Sequence, residues 1–68
     1  MRISKGTVKF FNEQKYWGFI QTEDQGDLFF HGKELMTQAL PKKGDLVMFE
    51  IEEDGQGRLR AIKIDHLD

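Results

Sequence analysis

Five short stretches of strand-forming residues, each bounded by a polar or glycine-bearing turn, constrain this chain more than any other feature. Residues 4–12 carry Thr7, Val8, Phe10 and Phe11, all of high β-propensity. Asn12-Glu13-Gln14-Lys15 lacks apolar residues and reads as a tight turn, with Asn12 the natural turn former. Tyr16 to Thr22 forms the second strand, and Leu28 to His31 a short third one. Between them lies the polar turn Glu23–Asp27, where Gly26 can supply a positive φ. Asp45 to Glu53 alternates, with Val47, Phe49 and Ile51 on one face and Met48, Glu50 and Glu52 on the other. Asp54-Gly55-Gln56-Gly57 is a hairpin loop. Arg58 to Asp65 is then the fifth strand, with Ile62 and Ile64 directed one way and Lys63 the other.

The longest connection separates the third and fourth strands. Lys33 to Leu40 are mostly helix formers, without Gly or Pro, and Pro41 ends the pattern. One or two helical turns are expected there, with Leu35, Met36 and Leu40 plugging one end of a barrel. Lys42-Lys43-Gly44 then reads as a plain solvated turn. An open five-stranded sheet would expose edges that 68 residues have nothing to cover. The expected fold is therefore all-β: a five-stranded antiparallel Greek-key barrel of the oligonucleotide-binding kind (OB-fold), with a short helical turn between strands 3 and 4. Residues 1–68 are expected to form one domain.

A core of this size supplies only about 3–5 kcal/mol, and the chain has no cysteine with which to add a disulfide or a thiolate zinc site. His31 and His66 are its only histidines, so no metal is expected. No nucleophile–base spacing or phosphate loop joins the polar residues. Catalytic residues, cofactors and an enzymatic activity are accordingly not expected. Met1 to Lys5 carry no apolar run, and nothing approaches the ~20 apolar residues of a membrane span. A cytoplasmic protein without a membrane partner fits these features.

The aromatic residues are crowded into Phe10-Phe11, Lys15-Tyr16-Trp17-Gly18-Phe19-Ile20 and Phe29-Phe30-His31. Strand alternation puts Trp17 and Phe19 on one face and Ile20 on the other, with Gly18 a flat spot between the rings. Phe29 and His31 likewise share a face. Val8, Ile20, Leu28, Phe30, Val47, Phe49 and Ile51 already fill the opposite parity, so the remaining aromatics belong on the surface. Such a face beside Lys9 and Lys15 suits stacked bases and their phosphates. Net charge is −2, adverse to phosphate binding, but the signs are segregated. Lys5, Lys9 and Lys15 face only Glu13 in the first part of the chain, while Asp45 to Asp54 is acidic without a base. The acidic run is expected to point away from any ligand.

In this order and at these spacings, the motifs resemble those of the bacterial cold-shock proteins, each a single cold-shock domain. Gly6-Thr7-Val8-Lys9-Phe10-Phe11-Asn12 resembles the family's opening strand, Lys15 to Ile20 its first ribonucleoprotein motif, and Asp27-Leu28-Phe29-Phe30-His31 its second. Gly44, Val47 and Phe49 resemble the fourth-strand pattern. The resemblance implies a partner of single-stranded RNA or single-stranded DNA, and work as an RNA chaperone without ATP. It implies stacking on Phe10, Trp17, Phe19, Phe29 and His31, and phosphate contacts from Lys9 and Lys15. Phe11, Asn12 and Asp27 would support the site or touch base edges. Phe10 shares the parity of Val8, so its exposure requires a bulge or strong coil in the first strand.

Several positions depart from the family. Phe10 stands where Trp is usual, Tyr16 where Gly is usual, and Gly32 where an aromatic usually follows the histidine. The loop after the third strand is also short and lacks an aromatic. At about 1–3 kcal/mol per stacked base, such losses imply weaker binding over a shorter footprint. Tyr16 either replaces part of the loss or only covers its turn. A second reading stays open: an interaction module, or self-associating domain, of the same fold that docks its aromatic face on protein. A monomer is expected, and nothing in the sequence demands strand swapping.

Overall fold

The computed structural model describes residues 3–37 and 39–67. Five strands, β1 (Ile3–Asn12), β2 (Trp17–Gln21), β3 (Asp27–His31), β4 (Leu46–Glu53) and β5 (Leu59–His66), close into a barrel in the order β1-β2-β3-β5-β4. The long β1 serves two neighbours. Its first half pairs with β4 and its second half with β2, both antiparallel. β2–β3 and β4–β5 are antiparallel as well. Closure comes from a parallel β3–β5 pairing, with Phe29 opposite Arg60. The long connection between β3 and β4 makes that geometry reachable.

Val8, Ile20, Leu28, Phe30, Val47, Phe49, Ala61 and Ile64 are buried inside, with Phe11, Leu35 and Ile51 packed against them. Six of these follow from simple alternation along β1 to β4. β5 does not alternate as expected. Lys63 adopts a left-handed φ of 52°, and the β4–β5 register shifts between Met48 and Glu50. One extra residue on β5 resets its parity. Ala61 and Ile64 therefore point inward, while Ile62 is only half-buried, so Ile62 and Ile64 do not share a face.

The connection after β3 also departs from expectation. Only Gly32–Glu34 forms a 3-10 turn. Its end is then tied to β5 by a parallel bridge between Leu35 and Ile64 and by the Met36 N–H donating to the Ile64 carbonyl at 2.7 Å. These sheet-like bonds leave no room for a second helical turn. Leu35 packs on the core as expected, but Met36 and Leu40 are exposed. Pro41, further along the connection, is buried.

Candidate nucleic-acid interface

β2 and β3 are the simplest part of the site. Their register pairs Trp17 with His31 and Phe19 with Phe29. Alternation turns Gly18, Ile20, Leu28 and Phe30 inward, and the four paired residues outward. Phe10 joins them through an irregularity in β1. Val8 pairs with Ile20 but Phe10 pairs with Phe19, so Lys9 is an extra residue with no partner of its own. This bulge is the one that Phe10 exposure required. It turns Phe10 outward at 44% exposed, and turns Phe11 inward, where its ring stacks on Phe30 at 5.7 Å and 9°. Phe11 thus supports the face from below rather than forming part of it.

The outward rings form one continuous cluster. Trp17 lies 5.6 Å from Phe10, 5.6 Å from Phe19 and 5.9 Å from Phe29, and Phe19 lies 6.0 Å from Phe29. Most of these contacts are edge-to-face, the favourable arrangement for aromatic pairs. Gly18 serves this cluster from inside rather than as a flat spot on its surface. A Cβ there would come within 2.9 Å of the Phe11 Cα and closer still to the Phe10 carbonyl. Only glycine lets β1 approach β2 at the bulge.

The polar residues divide their roles. Lys9 Nζ lies 2.7 Å from the Asp27 carboxylate, so its charge is partly matched. Asn12 is committed to its turn: its Oδ1 accepts the Gln14 and Lys15 N–H groups, both at 3.0 Å. Lys15 is exposed in that turn and forms no ion pair among the described residues. His31 Nδ1 accepts the Lys33 N–H at 3.2 Å, which leaves Nε2 to carry the ring proton toward solvent. Tyr16 stands beside it, edge-on to His31 at 5.9 Å and 85°.

One cation beside the face escaped sequence reading. Lys43 shares a shallow depression with Lys9, Phe10, Phe19 and Asp27, and Lys42 borders the adjoining one with Phe10 and Pro41. Both lysines do lie in an exposed turn, as expected. The turn is sewn to β1, however: the Val8 N–H donates to the Asp45 carbonyl at 2.9 Å and the Gly44 N–H to the Val8 carbonyl at 2.8 Å. Asp45 also accepts the Lys42 N–H at 2.9 Å. That bond, followed by the His66 ring, holds the Asp45 carboxyl below its ordinary range despite some desolvation. No periodicity signals such a long-range contact.

Charge segregation in the sequence is largely undone in space. Glu52 pairs with Arg60 and Glu50 with Lys63 because β4 lies beside β5, and Asp54 pairs with Arg58 within the loop that joins them. β4 also has no edge in common with β2 or β3, so its acids sit away from the rings. A wider depression at the other end of β1, lined by Ser4, Thr7, Gln25 and Leu46 among others, carries no aromatic ring. Among the described residues there is no cluster of potential metal ligands, and no helix long and apolar enough to cross a membrane.

A closed five-stranded OB barrel with aromatic rings massed on the outer face of three strands defines a recognised class of small binding domain. The family model described as "'Cold-shock' DNA-binding domain" matches residues 4–67, and this chain belongs to the cold-shock domain family. The major cold shock protein of Streptococcus pyogenes serotype M1 is 39% identical over 67 residues, covering 96% of this chain and 98% of that protein. Glycine-rich protein 2 of Nicotiana sylvestris is 41% identical over 64 residues; these cover 90% of this chain but only 30% of that protein. A solved structure described as drosophila Unr CSD456 superposes with a TM-score of 0.83 at 33% identity, covering 98% of this chain and 27% of that one.

Proposed function

We propose that residues 1–68 act as one domain that binds single-stranded RNA and single-stranded DNA. Bases stack on Phe10, Trp17, Phe19, Phe29 and His31, while Lys9, Lys15 and Lys43 follow the phosphates. The observation that carries this reading is the cluster of outward rings with centroids 5.6–6.0 Å apart, beside lysines on one strand and two separate turns. Stacking is open to every base, so sequence preference is weak. A strand held on such a face cannot pair with a complement at the same time. In the cytoplasm the protein would therefore loosen RNA secondary structure as a monomeric chaperone, without ATP. A family model described as DNA-binding and a relative named major cold shock protein support the same reading.

Fluorescence titration tests it directly, because Trp17 is the only tryptophan and lies in the face. A short oligo-dT or oligo-U quenches its emission, and duplex DNA does so far less. If no single strand alters the emission even at low salt, the reading fails. A concentration-dependent change in sedimentation without ligand would then assign the face to a protein partner or a second copy.

A further inference from the structure

Tyr16 is an unusual residue for its backbone position. Its φ of 62° lies in the left-handed region, where a bulky side chain is strained and glycine or asparagine is not. Two hydrogen bonds hold it there. The Tyr16 N–H donates to the Asn12 carbonyl at 2.7 Å, and the Gly32 N–H donates to the Tyr16 carbonyl at 2.8 Å. The turn between β1 and β2 is thereby pinned to the end of β3.

The ring rests directly on Gly32. A Cβ built on Gly32 would lie 2.5–2.6 Å from three carbons of the Tyr16 ring, so any other residue would have to expel it. Phe11 braces the ring at 5.9 Å and 67°, and His31 also meets it edge-on. The residue nevertheless remains 41% exposed. A ring placed only to cover a turn would gain little from a strained backbone and an open flank. Strain that the surrounding contacts hold in place, on a ring that keeps one flank open, points to a role in function.

We propose that Tyr16 and Gly32 act as one unit that extends the binding face past His31: Gly32 is the seat, and the Tyr16 ring stacks one further base. This deepens the single-strand reading and rests on it. The extra position comes from the β1–β2 turn rather than from a strand. It sets the length of the footprint at that end of the face.

The test uses the full chain, oligo-dT of increasing length, and thermal unfolding. Tyr16→Gly suits the left-handed backbone and keeps the fold, with a thermal midpoint equal to or above that of the parent. Its affinity for long oligo-dT falls about tenfold, and the deficit shrinks as the oligonucleotide shortens. Gly32→Ala lowers the thermal midpoint in the parent but not in the Tyr16→Gly background, because the clash is then absent. The double variant binds no worse than Tyr16→Gly alone. Unchanged long-strand affinity in Tyr16→Gly, or a loss equal at every length, overturns the proposal. So does a Gly32→Ala destabilisation that persists without the ring. Failure of the parent protein to bind any oligo-dT would instead overturn the underlying single-strand reading, and this proposal with it.

Discussion

The Lys9 ammonium lies 2.7 Å from the Asp27 carboxylate, spanning β2 from β1 to β3 beside the outward rings. Both groups are more than one-third exposed, and exposed pairs contribute about 0–1 kcal/mol. The consequence therefore falls on binding rather than folding. A phosphate approaching Lys9 competes with a carboxylate already in place. Asp27→Asn should leave the thermal midpoint nearly unchanged and raise single-strand affinity several-fold at low salt. Weaker binding of this variant at every salt concentration would instead assign Asp27 to a base edge.

Salt dependence follows from the same count. With Lys9, Lys15 and Lys43 as the phosphate contacts, the slope of log K against log salt should be about −2, at ~0.7 per neutralised phosphate on a single strand. Lys43→Ala should make it shallower by about 0.7. An unchanged slope in that variant would remove Lys43 from the phosphate path.

Trp17 touches Phe10, Phe19 and Phe29, so its removal opens the centre of the face. Trp17→Ala should weaken binding by about five- to 150-fold, given about 1–3 kcal/mol per stacked base. Because this variant lacks the fluorescent reporter, filter binding or calorimetry is the appropriate measurement. Glu52→Ala, which breaks only the exposed contact with Arg60, should bind as the parent does. Similar losses from both would mean that the ligand uses another surface.

Gly18→Ala tests the bulge. Its new methyl meets backbone of β1, not a movable side chain. Overpacking of this kind costs about 1–3 kcal/mol, a large part of the stability available to so small a core. Urea unfolding should show a clear fall in midpoint, and Phe10 should lose its placement with the bulge. A midpoint equal to the parent's would show that β1 can shift without cost.

Acid should destabilise the fold through Asp45 and Asp54. Backbone N–H donors, from Lys42 to Asp45 and from Arg58 and Gln56 to Asp54, hold both carboxyls below the ordinary 3.8. A depressed folded-state value means that the unfolded chain takes up the proton first. The stabilisation is therefore complete above the ordinary value and is lost as pH falls through the depressed one. Urea midpoints measured from neutral pH down to about 3 should fall at the acid end, and Asp45→Ala should flatten part of that fall. An Asp45→Ala profile parallel to the parent's would exclude this contribution.

Much of the site is legible along the chain because strand periodicity is local. Trp17, Phe19, Phe29 and His31 point outward, and Ile20, Leu28 and Phe30 inward, for no reason beyond alternation about short turns. Phe10 is different. Its exposure depends on one unpaired residue, Lys9, and alternation alone would have buried it. Ile62 fails for the converse reason: the left-handed Lys63 resets β5 and sends Ala61 inward. Met36 and Leu40 have helix-forming neighbours, but hydrogen bonding to Ile64 prevails over that propensity.

By itself, then, the sequence determined the strand count, the closed barrel, the family and the faces of β2 and β3. These depend on period-two patterning, on turn chemistry and on the need to hide sheet edges. Tertiary structure alone decided the rest. It placed Lys43 beside Phe10 and seated Tyr16 on Gly32. Each of these joins residues distant in sequence through close backbone approach, and local propensity carries no information about which distant segment will be there.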